Sequence, residues 1–376
     1  MSHPDAVVLG GGIIGLACAR ELAAAGMRVE VLERLHQGAG ASRAAAGMLG
    51  PLFEPDAPEP LLSAARESRD LWGDWAAALE GEARMGVDYD RSGALQFALA
   101  DPDGADEAAL AASVALAHRL GEPCTELAPA ELRARTPGVA TSIRRLVHFA
   151  GEHRVDNIRV CSALTAALER RGVAIRYASH VEEVTPLPAG SGGGPALRIE
   201  TRDGPLDTGL LVLAAGAWSG RVPGLPPLPV RPVRGQMALL TGIAWPWKGI
   251  ARRRDIYFVR RGAADVVVGA TVEEAGFHSH PTPDGIASLL DRARQSYPGL
   301  GAVRLEAVWA GLRPGTPDAL PIVGWLPDLP VLAATGHFRS GILLTPWTAR
   351  QIALLATATA APAAALAAFS PARFAA

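Results

Sequence analysis

Four residues near the start of the chain have the types and spacing to hold a pyrophosphate. Gly10, Gly12 and Gly15 form G-x-G-x-x-G, and Glu33 follows eighteen residues after Gly15. In such a pattern the first glycine permits a tight turn, the second lets backbone approach a diphosphate, and the third lets a helix pack on a strand. The helix that begins at the turn offers oriented N–H groups to the phosphates. Glu33 can accept hydrogen bonds from both ribose hydroxyls, and its charge would repel a 2′-phosphate. The chemistry is binding of an ADP-containing dinucleotide, NAD or FAD, and the motif alone does not choose between them. Other reactive side chains are scarce. The only lysine, Lys248, lies in Trp245-Pro246-Trp247-Lys248-Gly249, a loop by composition, so Schiff-base chemistry is disfavoured. Cys18, Cys124 and Cys161 are odd in number and widely spaced, with no C-x-x-C. They point to a reducing, cytoplasmic setting and no metal site, with Cys18 and Cys161 as buried thiols in helices.

The elements around these residues follow from periodicity. Ala6–Leu9 reads as a strand, Leu16–Ala25 as a helix and Met27–Glu33 as a second strand. The small residues Ser42 to Met48 would let the chain press against a cofactor. Leu61–Leu79 reads as a helix, Tyr89–Leu99 as a strand, and 106–120 and 129–135 as helices, the first stopped by Gly121. Asp156 reads as the N-cap of a helix through Arg171 that Gly172 closes. Strands at Val173–Tyr177 and His180–Pro186 follow, and Ser191 to Pro195 reads as a hairpin loop. The apolar run Leu210 to Trp218 reads as a buried parallel strand whose small-residue end meets a ligand. From Val230 short β patterns dominate, at 236–240, 256–260, 266–269 and 304–310, with a helix at 285–297. The chain then returns to a buried strand at Val331–Gly336 and a last helix at Ile342–Ala356.

At 376 residues the chain can bury one large or two modest cores. The net charge of −2 offers no electrostatic case for nucleic acid or an anionic membrane. No stretch reads as a signal peptide or a membrane-spanning helix.

Five segments together carry a resemblance. They are Gly10–Gly15 with Glu33, Ala44–Gly50, Arg231-Pro232-Val233-Arg234-Gly235-Gln236, Trp309–Asp318 and Gly336–Leu344, the last two being the specific ones. Over nearly its whole length the chain resembles the FAD-dependent D-amino acid oxidase superfamily, most closely its glycine oxidases. The resemblance implies an α/β, Rossmann-like FAD-binding domain built from 1–85, 141–225 and 320–376. It also implies a mainly antiparallel α+β substrate domain from 86–140 and 226–319. FAD contacts are expected at Gly10, Gly12, Ile13, Ile14, Gly15, Glu33 and Arg34, then at Ser42, Arg43, Ala45, Ala46, Gly47 and Met48. Further contacts are expected at Val181, Ala215, Gly216 and Trp218, and at His337, Phe338, Arg339, Gly341, Ile342 and Leu343.

The implied reaction is oxidation of glycine, or of sarcosine or a small D-amino acid, by hydride transfer to flavin N5. Oxygen is the electron acceptor, the products are glyoxylate, ammonia and hydrogen peroxide, and the implied role is in thiamine biosynthesis. Arg313, in Gly311-Leu312-Arg313-Pro314-Gly315, matches the carboxylate-binding arginine, and a guanidinium can grip a carboxylate through two parallel hydrogen bonds. Tyr257 matches the tyrosine whose hydroxyl helps hold that carboxylate. Arg339 either positions substrate or pairs with a nearby acid. Val272 and Met48 are expected in the substrate pocket, while His278, His280 and His337 are weak candidates for acid–base work. The Gly336–Ile342 loop and the start of the last helix would face the flavin pyrimidine. No cysteine lies near Arg313 or Arg339, so FAD is expected to be noncovalent, and the lack of a suitable lysine leaves the oxygen-reactive group unassigned. A homotetramer is implied by the resemblance alone. The competing readings are a quinone-linked D-amino acid dehydrogenase, an FAD-dependent tRNA-modifying oxidoreductase and a flavin-binding protein without catalysis.

Overall fold

The computed structural model describes residues 3–36, 38–131, 138–188, 195–243, 245, 247–358 and 364–374. It opens with β1 (Ala6–Leu9), α1 (Ile13–Ala24) and β2 (Val29–Leu32), and β1 and β2 pair in parallel. The connection works because α1 buries Leu16, Cys18 and Leu22 against the sheet. Each large apolar side chain buried this way contributes about 1.5–3 kcal/mol. Gly15 sits where a Cβ would collide with the Gly10 carbonyl, so helix and strand approach as closely as only glycine permits.

Next come α2 (Ala41–Ala44), β3 (Met48–Leu49), α3 (Glu59–Ala83), β4 (Ala94–Leu99), α4 (Ala105–Leu120), β5 (Cys124–Leu127), β6 (Ile143–Phe149) and β7 (His153–Arg154). Gly121 closes α4 in the left-handed conformation at φ 68°. Helix α5 (Asn157–Arg170) is capped by Asp156, whose carboxylate accepts from the N–H groups of Ile158 and Arg159. Such a cap contributes about 1 kcal/mol. Strands β8 (Ala174–Arg176), β9 (Val181–Pro186), β10 (Leu197–Thr201), β11 (Leu206–Thr208) and β12 (Leu210–Leu213) follow. The chain continues through β13 (Arg231–Thr241), β14 (Ile250–Arg253), β15 (Ile256–Arg261), β16 (Asp265–Gly269), α6 (Pro283–Ser296) and β17 (Arg304–Gly315). It ends with β18 (Ile322–Trp325), β19 (Val331–Thr335) and α7 (Thr345–Thr357), besides short 3-10 turns.

Two large sheets organise these elements. One has the order β18-β19-β12-β1-β2-β8, parallel except for the β18–β19 hairpin. Helices α1, α3, α5 and α7 cover one of its faces, and the small β11-β10-β9 sheet belongs to the core on the other. The second sheet runs β17-β13-β16-β15-β14-β4-β6-β5, antiparallel throughout except where β14 meets β4. Helix α6 packs on one of its faces through Leu289 and Ala293. The fold is therefore mixed α/β with a Rossmann-like parallel sheet, as expected.

Two expectations need correction. The boundary at 141 falls one strand early, because β6 hydrogen-bonds between β4 and β5 in the antiparallel sheet. The last helix begins at Thr345, with Pro346 in its first turn, while Ile342 lies in the turn before it. The strand at 180–186 joins the small antiparallel sheet through β10. The helix at 129–135 and the hairpin tip at 191–194 fall largely outside the described residues. Among the described residues no helix is long and apolar enough to cross a membrane.

Candidate active site

A cavity of about 1070 Å³ runs from the C-terminal ends of β1, β2 and β12 to one face of the antiparallel sheet. That volume lies just above the usual range for small-molecule sites, about 300–1,000 Å³. Its first end is the glycine turn. Gly10 has φ 121° and packs so tightly on Ala214 that a Cβ would overlap that carbonyl. Ser42 Oγ accepts the Ile13 N–H at 2.9 Å, fixing α2 against the start of α1. Asn157, the only asparagine, holds α2 from behind by donating to the Ser42 carbonyl at 2.6 Å. Glu33 accepts from the N–H groups of Gly11 at 2.7 Å and Leu35 at 2.8 Å, so its carboxylate orders the turn it faces. Arg34 lies over the Trp218 ring at 4.4 Å, and both line the wall.

The far end is built on strand register. Arg252 of β14 pairs with Tyr257 of β15, which pairs with Gly269, then Met237, then Trp309 across the sheet. Directly opposed residues share a face, so this row of side chains looks the same way. Gly269 leaves room for the Tyr257 ring, and Gly235 leaves room for the Arg313 guanidinium. The Tyr257 hydroxyl donates to Met237 Sδ at 3.1 Å, and burial raises its pKa, keeping the phenol protonated. Arg313 Nη1 donates to the carbonyls of Thr271 at 3.2 Å and Arg234 at 3.4 Å. Among the described residues it has no ion pair. Burial lowers the Arg313 pKa, opposed by Tyr257 and assisted by Arg339. A guanidinium does not lose its proton in a protein, so this is a buried cation without a carboxylate.

The loop after β19 closes the site. Ser68 Oγ and Trp72 Nε1 both donate to the Leu343 carbonyl, at 2.6 and 2.8 Å, tethering the loop to α3. Arg339 takes both carboxylate oxygens of Glu54 at 2.9 Å, so the alternative of a nearby acid partner is realised. His337 is buried, bonds Thr348 through Nε2 at 3.0 Å and is driven down to about 3 by burial, so it stays neutral. His278 and His280 are exposed and absent from the cavity wall.

The cavity brings together Gly10, Gly12, Ile13, Ile14, Glu33, Arg34, Ser42, Ala45, Ala46, Gly47 and Met48 with Val181, Ala215, Gly216 and Trp218. It also contains His337, Phe338, Arg339, Gly341, Ile342, Leu343, Tyr257, Arg313 and Val272, the last 52% exposed. Two residues lie apart. Gly15 is behind the turn, where its role is close packing. Arg43 turns away, toward Ile158 and Cys161, because it sits on the outer side of α2. Lys248 is exposed and off the cavity wall. Sequence reasoning missed Arg252, Phe53 and Glu54. Arg252 stands in Arg252-Arg253-Arg254, all three at the cavity wall, and composition cannot say which of them shares a sheet face with Tyr257.

The glycine cradle, the α1 N-terminus and Glu33 fit the ADP half of FAD, and the continuous cavity reaches a second sheet as an extended ligand requires.

Comparison with known proteins gives the same direction. The model of the FAD dependent oxidoreductase (DAO) family matches residues 5–355. The chain is 35% identical over 377 residues to the bifunctional protein ThiO/ThiG of Synechocystis sp., covering 98% of this chain and 54% of that protein. It thus spans about half the length of such bifunctional relatives. It is 32% identical over 354 residues to the glycine oxidase of Pseudomonas aeruginosa, covering 92% and 93% of the two chains. The crystal structure of glycine oxidase from Geobacillus kaustophilus has a similar fold, with a TM-score of 0.89 at 29% identity over 99% of each chain.

Proposed function

The chain belongs to the FAD-dependent oxidoreductase (DAO) family, and we propose that it oxidises the amine carbon of a small amino acid such as glycine. One observation carries the choice of substrate class. Arg313 is a buried guanidinium without a carboxylate partner, beside the protonated Tyr257 hydroxyl, in the same cavity as the glycine cradle. Desolvating a cation without its anion is costly, and a substrate carboxylate bound bidentately recovers that cost.

The chemistry FAD supplies when bound is two-electron acceptance, and with O2 as final acceptor glycine, water and O2 become glyoxylate, ammonia and H2O2. The protein's part is orientation. Arg313 and Tyr257 hold the carboxylate, fixing the carbon to be oxidised, and such alignment needs no side-chain base. The neutral, buried His337 is unavailable for proton transfer at physiological pH. Met48 and Met237 give this part of the cavity an apolar wall. The FAD contacts proposed are the cavity residues named above, without Arg43. The proposed FAD unit is 1–85, 150–225 and 320–376, and the proposed substrate unit is 86–149 and 226–319. A role in thiamine biosynthesis belongs to the same proposal, supported by the likeness to ThiO-type proteins, and so does the homotetrameric assembly that the family resemblance implies.

A peroxide-release assay across glycine, sarcosine, D-alanine and D-proline tests the reading, with Arg313→Ala as partner experiment. Peroxide is expected from at least one of the four. Arg313→Ala is expected to raise KM by an amount equivalent to about 2–5 kcal/mol, the usual cost of removing one partner of a buried charge pair. Reduction of a quinone without peroxide would replace the oxidase by a dehydrogenase. An unchanged KM would remove Arg313 from the site.

A further inference from the structure

Tyr257 is surrounded by more positive charge than one carboxylate answers. Arg313, Arg339 and Arg252 all act on its hydroxyl. Arg252 is its directly registered neighbour on β14, while Arg313 reaches it from the opposite side, where β17 and β13 lie. Of the three, Arg339 is neutralised by Glu54, which it holds through both oxygens. Among the described residues Arg252 has no carboxylate within ion-pair distance. Its Nη1 donates to the Phe53 carbonyl at 2.8 Å, and its guanidinium lies over the Phe53 ring at 4.7 Å.

Glu54 also acts on Arg252 and Arg313, but both of its oxygens are taken by Arg339, and the other nearby acids do not cancel the charge. Glu152 is fully buried and pushed up to about 8 by burial, so it carries a proton at pH 7. Glu273 is held by Arg234, and Asp255 by Arg253. Asp284 is exposed at the start of α6. Two guanidiniums thus face one cavity from either side of Tyr257, and one substrate carboxylate satisfies only one of them.

We infer that Arg252 is a second anion-binding residue and that the preferred substrates are amines carrying two carboxylates, one for Arg313 and one for Arg252. The inference rests on the amine-oxidase reading above and narrows it. The planar, doubly donating guanidinium suits a second carboxylate better than a hydroxyl or amide, which would leave the cation uncompensated.

The holoenzyme is assayed with two matched pairs, iminodiacetate against its monoamide and D-aspartate against D-asparagine. In each pair an amide of similar shape replaces one carboxylate. At least one acid is expected to exceed its amide about tenfold in kcat/KM, the difference lying in KM, as for loss of roughly one charge-assisted contact. Arg252→Met brings that ratio close to one. Arg252→Lys, which keeps the charge and loses the fork, gives an intermediate ratio. A ratio near one in both wild-type pairs, or one unchanged in Arg252→Met, overturns the inference. A second readout needs no turnover. Malonate raises the melting temperature of the holoenzyme where equimolar acetate does not, and Arg252→Met abolishes the difference. If no amine is oxidised and malonate keeps its Arg252-dependent effect, the amine-oxidase reading fails and the anion site stands. If glycine is oxidised and neither readout depends on Arg252, the reading stands and the anion site falls.

Discussion

Glu152 shows how much one buried side chain can weigh. Its Oε1 accepts the Leu52 N–H at 3.2 Å, while Oε2 has no partner and packs beside Gly50. Burial raises its pKa from 4.5 to about 8, with the Leu52 hydrogen bond and Arg69 opposing. The folded state therefore holds a proton that the unfolded chain releases near pH 4.5. The associated stability is complete below that pH and is lost as pH rises through about 8. Urea unfolding at pH 5.5 and 8.5 is expected to show wild type losing stability, on the order of a few kcal/mol, as pH rises. Glu152→Gln, which cannot ionise, loses much less, and equal losses in the two proteins would remove Glu152 as the cause. Residue types single out Arg313 and Tyr257 through a motif match, because each stands in a distinctive local string. Glu152 and Arg252 stand in no such string, and their importance comes from burial that only packing creates.

At the scale of elements the first strand–turn–helix was fully legible, because its glycines and apolar spacing act within some twenty residues. The same contact that makes it legible makes it testable. A methyl group at Gly15 would overlap the Gly10 carbonyl, pushing α1 from the sheet and spoiling the turn. Gly15→Ala is expected to lower both the FAD content of purified protein and the stability, the latter by about 1–3 kcal/mol. Gly81, exposed near the end of α3 with nothing around its Cβ position, is the control. Gly81→Ala is expected to be stabilising by about 0.5–1 kcal/mol and to leave FAD content unchanged. FAD content that falls equally in both variants would show that α1 packing is not the reason. Element boundaries were less legible where partners decide them. Nothing local in β6 says that it lies between β4 and β5, and the turn at 340–344, closed by its own Leu344 N–H to the Ser340 carbonyl, is tethered in place by hydrogen bonds from α3.

For the whole molecule, the cavity joins the two large sheets, so cofactor and fold are thermodynamically linked. A ligand that binds only the folded state stabilises it by about 2.7 kcal/mol at one hundred times its Kd. Stripping FAD is expected to lower the melting temperature, and added FAD, but not NAD, to restore it. The three cysteines are free, Cys18 and Cys161 being buried with thiol pKa values pushed up, the latter to about 12. With no thiolate on the cavity wall to attach a flavin, acid precipitation is expected to release yellow colour into the supernatant. Colour kept in the pellet would mean a covalent link. By itself the sequence determined a strand, glycine turn and helix of dinucleotide-binding pattern at Gly10–Glu33, and sheet-rich material between it and a returning Rossmann strand, because those signals are local periodicities and glycine geometry. Only the tertiary structure decided which cations meet. Strand register set Arg252 beside Tyr257, and Gly235 and Gly269 opened the space above the sheet, while Glu54 gave both oxygens to Arg339 and left Arg313 and Arg252, among the described residues, without a carboxylate at ion-pair distance. Charge balance in a buried site is a sum over residues distant in sequence, and only the fold brings those residues within reach of one another.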